Sequence, residues 1–255
     1  MRIEVIPLRS SARVRPGDDV GELILGMLGD AGVELRDGDV VVVSEKVVAK
    51  AEGRLVRLAD VVPGELAKEL AAAGDKDARV VELVLRESKR IVAARGGVLV
   101  VETKQGFVCA NAGVDLSNVE EGYAKLLPEE PDESAERIRR RLEAESGRRV
   151  GVVVADSWGR PFRLGSVGVA IGCSGIAPLA DLRGRRDLFG RELRSTVVAV
   201  ADCIASAANL VMGEAAEGTP AALVRGLRVL GEGRAKELLR PEEEDVFRFQ
   251  GGLTR

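Results

Sequence analysis

A carboxylate, a hydroxyl, several glycines and two arginines follow one apolar run near the middle of the chain. Val150–Ala155 is a run of β-branched and small apolar residues, which predicts a buried strand. Asp156 and Ser157 come directly after it, and oxygens of this kind hold hard metal ions. The glycines that follow allow a ligand close to the backbone, and Arg160 and Arg163 offer bidentate phosphate donors. The stretch favours a metal–phosphate site, although a strand with an ordinary glycine-rich turn explains it equally well.

Two other segments place oxygen ligands after apolar elements. Asn111–Asn118 holds two of the chain's three asparagines together with Asp115, and either a ligand site or an Asx-rich turn explains it. Glu214 lies in an acidic, glycine-containing loop after a long apolar helix. Lys50 follows a buried strand, so it is either a phosphate contact or a solvated surface lysine. Metals bridged by carboxylates and completed by phosphates are common in phosphoryl transfer, which predicts a metal-dependent enzyme with a phosphorylated ligand.

The amino-acid composition narrows this chemistry. The chain has no histidine, which excludes Ser–His and Cys–His nucleophiles and every histidine-ligated metal site. Any metal must be held by oxygen, which points to magnesium, manganese or calcium. The three cysteines are scattered and form no CxxC pair, which argues against a zinc ribbon or a redox motif. The P-loop, GxGxxG and kinase signatures are missing from the sequence.

Charge and hydropathy limit the partners and the compartment. The formal net charge is −3, which does not indicate a nucleic-acid or anionic-membrane partner. No apolar run approaches the roughly 20 residues that span a bilayer, and the first residues lack the apolar region of a signal peptide. We therefore expect a protein of the reducing cytoplasm, without a membrane or nucleic-acid partner.

Apolar periodicity and turn residues predict the elements that must position these side chains. The expected strands are Met1–Pro7, Asp39–Val43, Gly97–Glu102, Phe107–Ala110, Val150–Ala155 and Ala221–Val224. The expected helices are Val20–Leu28 after an Asp18 cap, Pro63–Ala73, Asp75–Arg90, Asp132–Ser146 with a cap at Asp132 or Ser134, Ser195–Met212 and Pro241–Phe249. Because no flexible linker or repeat separates them, we expect the α+β class, with two interlocked subdomains and mixed or antiparallel sheets.

Four blocks of the chain resemble the coenzyme F420-0:γ-glutamyl ligase family, in the same order and over essentially the whole chain. They are Ser44–Arg54, Val108–Val119, Asp156–Gly172 and Asn209–Gly226. The resemblance implies a GTP-dependent ligase that adds L-glutamate to F420-0 and then a second, γ-linked glutamate to F420-1. It also implies a homodimer that uses two divalent cations, Mg²⁺ or Mn²⁺, with K⁺ as a further aid. The implied fold is specific to the family and distinct from P-loop, Rossmann and ATP-grasp folds. We expect it to form one catalytic unit over residues 1–255, without a fused reductase-like domain.

The resemblance implies roles for individual residues. Asp115 and Asp156 are expected to hold one metal, and Ser157 and Glu214 the other. The expected nucleotide contacts are Ser10, Ser11, Ala12, Arg13, Glu45, Lys46, Lys50, Asn118, Met212, Gly213, Glu214, Ala215, Ala216, Glu217, Gly218 and Thr219. The chain departs from the family pattern at Ser11–Arg13 and at Glu45, which leaves both GTP and ATP open as the nucleotide.

The implied reaction needs no histidine. Transfer of a γ-phosphoryl group to a carboxylate gives an acyl phosphate, which the glutamate amine attacks, and positioning and electrostatics dominate such transfers. We count Asp115, Asp156 and Glu214 as catalytic through the metals they hold. Arg160 joins them as a catalytic candidate that contacts substrate phosphate or carboxylate. A metal-dependent phosphohydrolase using the same acids, or a nucleotide- or F420-binding module without activity, remains as an alternative.

Overall fold

The computed structural model describes residues 2–245 and confirms the α+β class with mixed and antiparallel sheets. The chain divides into two compact units. Unit 1 contains the residues up to Arg54 together with Pro128–Leu238, and unit 2 contains Leu55–Leu127 together with the described residues from Leu239. No helix within residues 2–245 is long and apolar enough to cross a membrane.

Strands and helices are interspersed along the whole described chain. The strands are β1 (Glu4–Leu8), β2 (Val40–Ser44), β3 (Leu55–Arg57), β4 (Ser88–Arg95), β5 (Val98–Thr103), β6 (Val108–Ala110), β7 (Tyr123–Lys125), β8 (Gly151–Arg160), β9 (Arg163–Ser174), β10 (Leu179–Asp181), β11 (Val197–Ala199) and β12 (Ala221–Arg225). The α-helices are α1 (Val20–Asp30), α2 (Glu45–Ala51), α3 (Glu65–Gly74), α4 (Ala78–Arg86), α5 (Pro131–Ser146) and α6 (Val200–Met212). Short 3-10 helices occupy Leu58–Asp60, Asn111–Gly113, Ala235–Leu238 and Glu242–Glu244.

A five-stranded mixed sheet forms the centre of unit 1, in the order β1-β12-β2-β8-β9. Strands β2 and β8 are parallel, and the other neighbours are antiparallel. Val40–Val43 and Val152–Val154 are fully buried. Runs of valine without polar alternation are typical of strands covered on both faces. One face packs against α6, where Val42 and Val153 join a core cluster with Ile204.

The hairpin β8–β9 differs from the sequence prediction. The strand expected to end at Ala155 continues to Arg160, and the glycine-rich stretch is strand β9 rather than a loop. The glycines serve packing. A Cβ on Gly168 would lie 2.4 Å from the carbonyl oxygen of Ala205 in α6, and a Cβ on Gly172 would lie 2.2 Å from that of Pro131 in α5. Helical backbones therefore approach β9 where side chains are missing.

Two helix caps also differ from prediction. Helix α5 begins at Pro131, so Asp132 lies inside its first turn rather than at the cap. The buried Asp132 carboxylate accepts hydrogen bonds from the backbone N–H groups of Cys173 and Ala235, both at 2.8 Å. Burial and the nearby Asp132 charge raise the pKa of the Cys173 thiol to about 12, so this cysteine stays protonated. Helix α1 is capped by Asp19 rather than by Asp18.

Helix α6 is tied to β9 by side chains as well as by close packing. The Asp202 carboxylate accepts a hydrogen bond from the N–H of Ala170 at 2.9 Å, and Ser206 Oγ donates to the carbonyl of Gly168 at 2.7 Å. Burial raises the pKa of Asp202. The helix begins at Val200 rather than at Ser195, because Val197–Ala199 pairs with β10 as strand β11.

Unit 2 contains the three-stranded antiparallel sheet β4-β5-β6, the pair β3-β7 and helices α3 and α4. The hairpin of β5 and β6 was predicted, but β4 was not, because the helix expected to run to Arg90 ends at Arg86. Strand β4 is an exposed edge with two register irregularities and the charges of Lys89 and Arg90. Such features prevent unwanted strand pairing. Near the end of the chain, Glu242–Glu244 forms a 3-10 turn, and residues 246–249 of the expected last helix lie outside the described residues.

We expect Gly168→Ala to lower the free energy of unfolding by about 1–3 kcal/mol, because the added methyl group forces α6 away from β9. Gly159→Ala in the same hairpin is the matched control, since a Cβ there has open space. It should change stability by less than about 0.5 kcal/mol. Urea unfolding of the two variants tests this expectation, and equal stability would contradict the close approach of α6.

Candidate functional site

Several predicted site segments meet at one end of the five-stranded sheet in unit 1. Leu8 at the end of β1 pairs with Ala221 at the start of β12, and Ala221 pairs with Val43 near the end of β2. Ser44 at the end of β2 pairs with Ala155 of β8. The residues that follow β1 and β2, those that precede β12 and those after Ala155 in β8 therefore lie at the same end of the sheet.

Backbone hydrogen bonds join these segments. The N–H of Ser10 donates to the carbonyl of Gly218 at 2.9 Å, and the N–H of Ser44 donates to that of Pro220 at 2.9 Å. Ser10 Oγ accepts the N–H of Ala12 at 3.1 Å, which shapes the turn after β1. The structure thus brings together two of the segments predicted to contact a nucleotide, Ser10–Arg13 and Met212–Thr219.

The carboxylate of Glu214 and the hydroxyl of Ser157 form one pair on the α6 side of the sheet. Ser157 is paired with Gly168, whose Cα faces Ala205 of α6, and directly paired residues share a face. Glu214 follows the end of α6. Ser157 Oγ donates a hydrogen bond to Glu214 Oε2 at 2.8 Å. The prediction that Ser157 and Glu214 act together is therefore consistent with their positions.

Asp156 points to the other face of β8, because successive side chains of a strand alternate. Its Oδ1 accepts the N–H of Ser157 at 2.8 Å, and its Oδ2 accepts the indole N–H of Trp158 at 2.7 Å. The sequence analysis did not single out Trp158. Its spacing of two residues from Asp156 was the available signal, but it becomes informative only when β8 is known to continue past Ala155.

The oxygen donors of unit 1 suit a hard divalent cation. Asp156 supplies a carboxylate on one face of β8, while Glu214 and Ser157 supply a carboxylate and a hydroxyl on the other. These are the donor types that Mg²⁺ and Mn²⁺ take. The described part of the chain contains no group of three or more His, Cys, Asp or Glu side chains that could hold a metal alone. Magnesium is commonly bound by one or two carboxylates, with phosphates and water completing its shell. These residues fit that pattern.

Lys50 lies on α2 and is partly buried. Burial lowers its pKa, as does the positive charge of Lys46 one turn earlier, while Glu45 acts in the opposite direction. Glu45 itself is almost completely buried, at 1% exposure. Lys50 is therefore only partly exposed to solvent, and its contact with a phosphate stays a prediction.

In the loop after α6, backbone N–H groups donate hydrogen bonds to the carboxylate of Glu217, a residue of the same loop. The N–H of Ala215 donates to Glu217 Oε2 at 2.8 Å. Hydrogen bonds from backbone N–H groups of Glu217, Ala215 and Glu214 lower the pKa of the Glu217 carboxyl. Gly213 has φ +74, and a Cβ there would lie 2.2 Å from Glu217 Cδ. Glycine is required at this position, and the loop backbone is already arranged around an anion.

Asp115 and Asn118 lie in unit 2. Asp115 exchanges two backbone hydrogen bonds with Lys125, at 2.8 and 3.0 Å, and its carboxylate accepts both the N–H and the Oγ–H of Ser117 at 2.8 Å. Asn118 has φ +55, the left-handed conformation that asparagine tolerates well. Asn111 has a structural role, because its side-chain oxygen accepts from Lys76 Nζ at 3.0 Å. That Asp115 and Asp156 share a metal stays a prediction.

Arg160 and Arg163 flank the turn of the β8–β9 hairpin. Arg160 Nη2 donates to the carbonyl of Leu164 at 3.2 Å, so this side chain helps to close the turn. Its Nε is buried and has no hydrogen-bond partner among the described residues. Arg163 is exposed. The role of Arg160 toward a substrate stays a prediction.

A groove of about 540 Å³ lies between α1 and the segment after β1. It is lined by Ser10, Ala12, Asp18, Asp19, Glu22, Leu23, Gly26, Met27 and Asp30. Asp18 accepts the N–H of Arg15, and Asp19 caps α1. Glu22 and Asp30 have no side-chain hydrogen bond to another described residue. The groove lining thus combines apolar side chains with the carboxylates of Glu22 and Asp30, which the sequence analysis did not identify.

Comparisons with a family model and with individual proteins point to the same family. The family model for F420-0:Gamma-glutamyl ligase matches residues 10–226. A coenzyme F420:L-glutamate ligase of Methanopyrus kandleri is 50% identical over 253 residues, covering 97% of this chain and 98% of that protein. Proteins of the same name are 52% identical over 215 residues in Methanocaldococcus jannaschii (84% of this chain, 86% of that protein) and 50% identical over 248 residues in Archaeoglobus fulgidus (97% of each).

Proposed function

The chain belongs to the F420-0:gamma-glutamyl ligase family, and from that premise we propose that it joins L-glutamate to coenzyme F420. The observation that carries this proposal is the match of residues 10–226 to the family, together with relatives of that name about half identical over nearly the full chain. We further propose that the reaction is GTP-dependent and adds one glutamate to F420-0 and a second, γ-linked glutamate to F420-1.

The chemistry must activate a carboxylate, which is a poor electrophile. The γ-phosphoryl group passes to a carboxylate oxygen and the nucleoside diphosphate leaves, giving an acyl phosphate. The glutamate nitrogen then attacks the acyl carbon, the C–O bond to phosphate breaks, and the amine loses a proton. Asp156 with Asp115, and Ser157 with Glu214, would hold divalent cations, which would neutralise phosphate charge. The protein's own task is to position the reacting groups and exclude water.

The proposed phosphate contacts are the loop after α6 and Lys50. The backbone N–H groups of this loop already surround the Glu217 carboxylate, which supports a role in binding an anion. The loop is tied to Ser10 by the bond to Gly218, and Lys50 follows the neighbouring strand β2 on α2. A partly buried lysine on the helix that follows β2 offers a positive charge for a phosphate group.

The groove along α1 supports the proposal of GTP rather than ATP. Guanine presents an N1–H and a 2-amino group on one edge, and a carboxylate can accept both. Adenine has no such pair of donors. Glu22 lines the groove together with Ser10 and Ala12 and is the carboxylate proposed to accept these two donors. Asp30 lies at the far end of α1, about 12 Å along the helix axis at 1.5 Å per residue.

We also propose that the protein is a homodimer. Residues 182–196 form an arm, held by bonds from Leu182 N–H to the Thr196 carbonyl and from Leu193 N–H to that of Arg185. At its tip Leu188 and Phe189 are 101% and 93% exposed. The tip is preorganised, because the adjacent Asp187 carboxylate accepts the N–H of Phe189 at 2.8 Å. Burial of these two apolar side chains against a second copy of the chain would remove them from water, which supports the proposal of a dimer.

Incubation with F420-0, L-glutamate, GTP and Mn²⁺ should give products heavier by one or two glutamyl units, measured by mass spectrometry. GDP release should depend on both F420-0 and glutamate. The same mixture with ATP is the control for nucleotide preference. Nucleotide hydrolysis that is indifferent to glutamate and F420-0, without an adduct, would contradict the ligase and support the phosphohydrolase.

Lys50→Ala should weaken GTP and ATP binding alike, by about 1.5–3 kcal/mol, because a charge-assisted phosphate contact is lost. Glu22→Gln should instead reduce the preference for GTP while leaving ATP affinity unchanged. Isothermal titration of both nucleotides measures these effects. Lys68→Ala, at an exposed lysine paired with Glu65, and Asp30→Asn are the matched controls. If the Lys50→Ala protein binds GTP as tightly as the parent protein does, Lys50 is not a phosphate contact.

Replacing both Leu188 and Phe189 by serine should convert the dimer to a monomer at micromolar concentration, because the exposed apolar tip would no longer be buried. Light scattering after size exclusion measures the mass. Val62→Ser, at an apolar residue 78% exposed in unit 2, is the control and should leave the dimer intact. A parent protein that is monomeric and active would contradict the homodimer itself.

A further inference from the structure

We propose that Trp158 is a positioning residue, which orients the Asp156 carboxylate toward a divalent cation. The inference rests on the proposed function, because it takes Asp156 as a cation ligand. Trp158 lies in the block Asp156–Gly172, but the family resemblance assigns it no role, and it is not one of the proposed nucleotide contacts. The observation that carries the inference is the hydrogen bond of 2.7 Å from the indole Nε1–H to Asp156 Oδ2.

Two donors from β8 hold this carboxylate. Trp158 donates to Oδ2, while the backbone N–H of Ser157 donates to Oδ1 at 2.8 Å. Because Asp156 and Trp158 are two residues apart on one strand, their side chains lie on the same face. The rotation of the carboxylate is therefore fixed before any cation arrives.

The chemical type of residue 158 matters for this role. An indole N–H donates and carries no charge, whereas a lysine or arginine would neutralise Asp156 and compete with the cation. The pairing of Trp158 with Val167 of β9 fixes the backbone from which the ring projects. Trp158 thus orients the carboxylate without placing a positive charge beside it.

Trp158 is the only tryptophan in the chain, so the protein contains a single indole N–H signal and one tryptophan fluorophore. Both report directly on the group that contacts Asp156. Mn²⁺ alone, added to the full-length protein, should quench this fluorescence to saturation. Mg²⁺ alone should shift the single indole resonance in a ¹H–¹⁵N spectrum. Neither response requires substrate or turnover, and neither requires a substitution that could disturb folding.

Two variants test the inference. Trp158→Phe keeps an aromatic ring and removes the donor, and it should raise the Kd for Mn²⁺, measured by electron paramagnetic resonance, about tenfold. Asp156→Asn should abolish the fluorescence and resonance responses over the same range of cation concentrations. Thermal unfolding of each variant checks that the fold is intact. If Trp158→Phe does not fold, the response of the parent protein's indole signal to the cations tests the inference instead.

The outcomes separate the cation site from the positioning role. If Asp156→Asn loses Mn²⁺ while Trp158→Phe binds it as the parent does, the positioning role is overturned and the cation site stands. If Asp156→Asn binds Mn²⁺ normally, both the cation assignment and the positioning role fall. The mass-spectrometric assay then still decides ligase activity on its own. A parent indole signal that ignores Mg²⁺ and Mn²⁺ while these ions bind would also overturn the inference.

Discussion

The close approach of two helical backbones to strand β9 is the constraint on which the rest of unit 1 depends. The carbonyl oxygens of Ala205 and Pro131 occupy the positions where side chains of residues 168 and 172 would be. Only glycine allows α6 and α5 to lie this near the sheet. Helix α6 in turn ends next to Glu214, and β9 sets the register of β8. The position of the site oxygens therefore depends on glycine at residues 168 and 172, where any side chain would prevent this close packing.

A single β-bulge places Gly168 and Gly172 on opposite faces of β9, so that one glycine contacts α6 and the other contacts α5. Val154 pairs with Gly172 while Ala155 pairs with Ala170, so one extra residue stands in β9 between them. The extra residue reverses which face each later position presents. Without it, Gly168 and Gly172 would face the same side, and α5 and α6 could not both pack closely. With it, Ser157 faces α6 and Glu214, while Asp156 faces away.

The sequence predicts the buried parts of this structure well and their polar extensions poorly. The valine runs of β2 and β8 indicate strands because burial on both faces leaves an uninterrupted apolar pattern. The continuation of β8 through Asp156 and Trp158 has no such pattern, since it is held by pairing with β9. Strand β4 was missed because its residues are exposed and charged. The hydrogen bond from Trp158 to Asp156 depends on that unpredicted extension, whereas the pair of Ser157 and Glu214 was accessible through family resemblance. The carboxylates of the α1 groove were not distinguishable from the polar face of an ordinary amphipathic helix.

The order of strands in the central sheet has a consequence for synthesis of the protein. Among the strands that the structure describes, β1 pairs only with β12, whose residues lie more than two hundred positions later in the chain. By contrast, β4, β5 and β6 of unit 2 pair with strands that are near in sequence. Pairing of distant segments is slow and cannot begin before both have left the ribosome. The local sheet of unit 2 can therefore form during translation, while the first strand of unit 1 waits for almost the whole chain. During that interval the backbone N–H and C=O groups of residues 4–8 lack the strand that pairs with them in the folded protein.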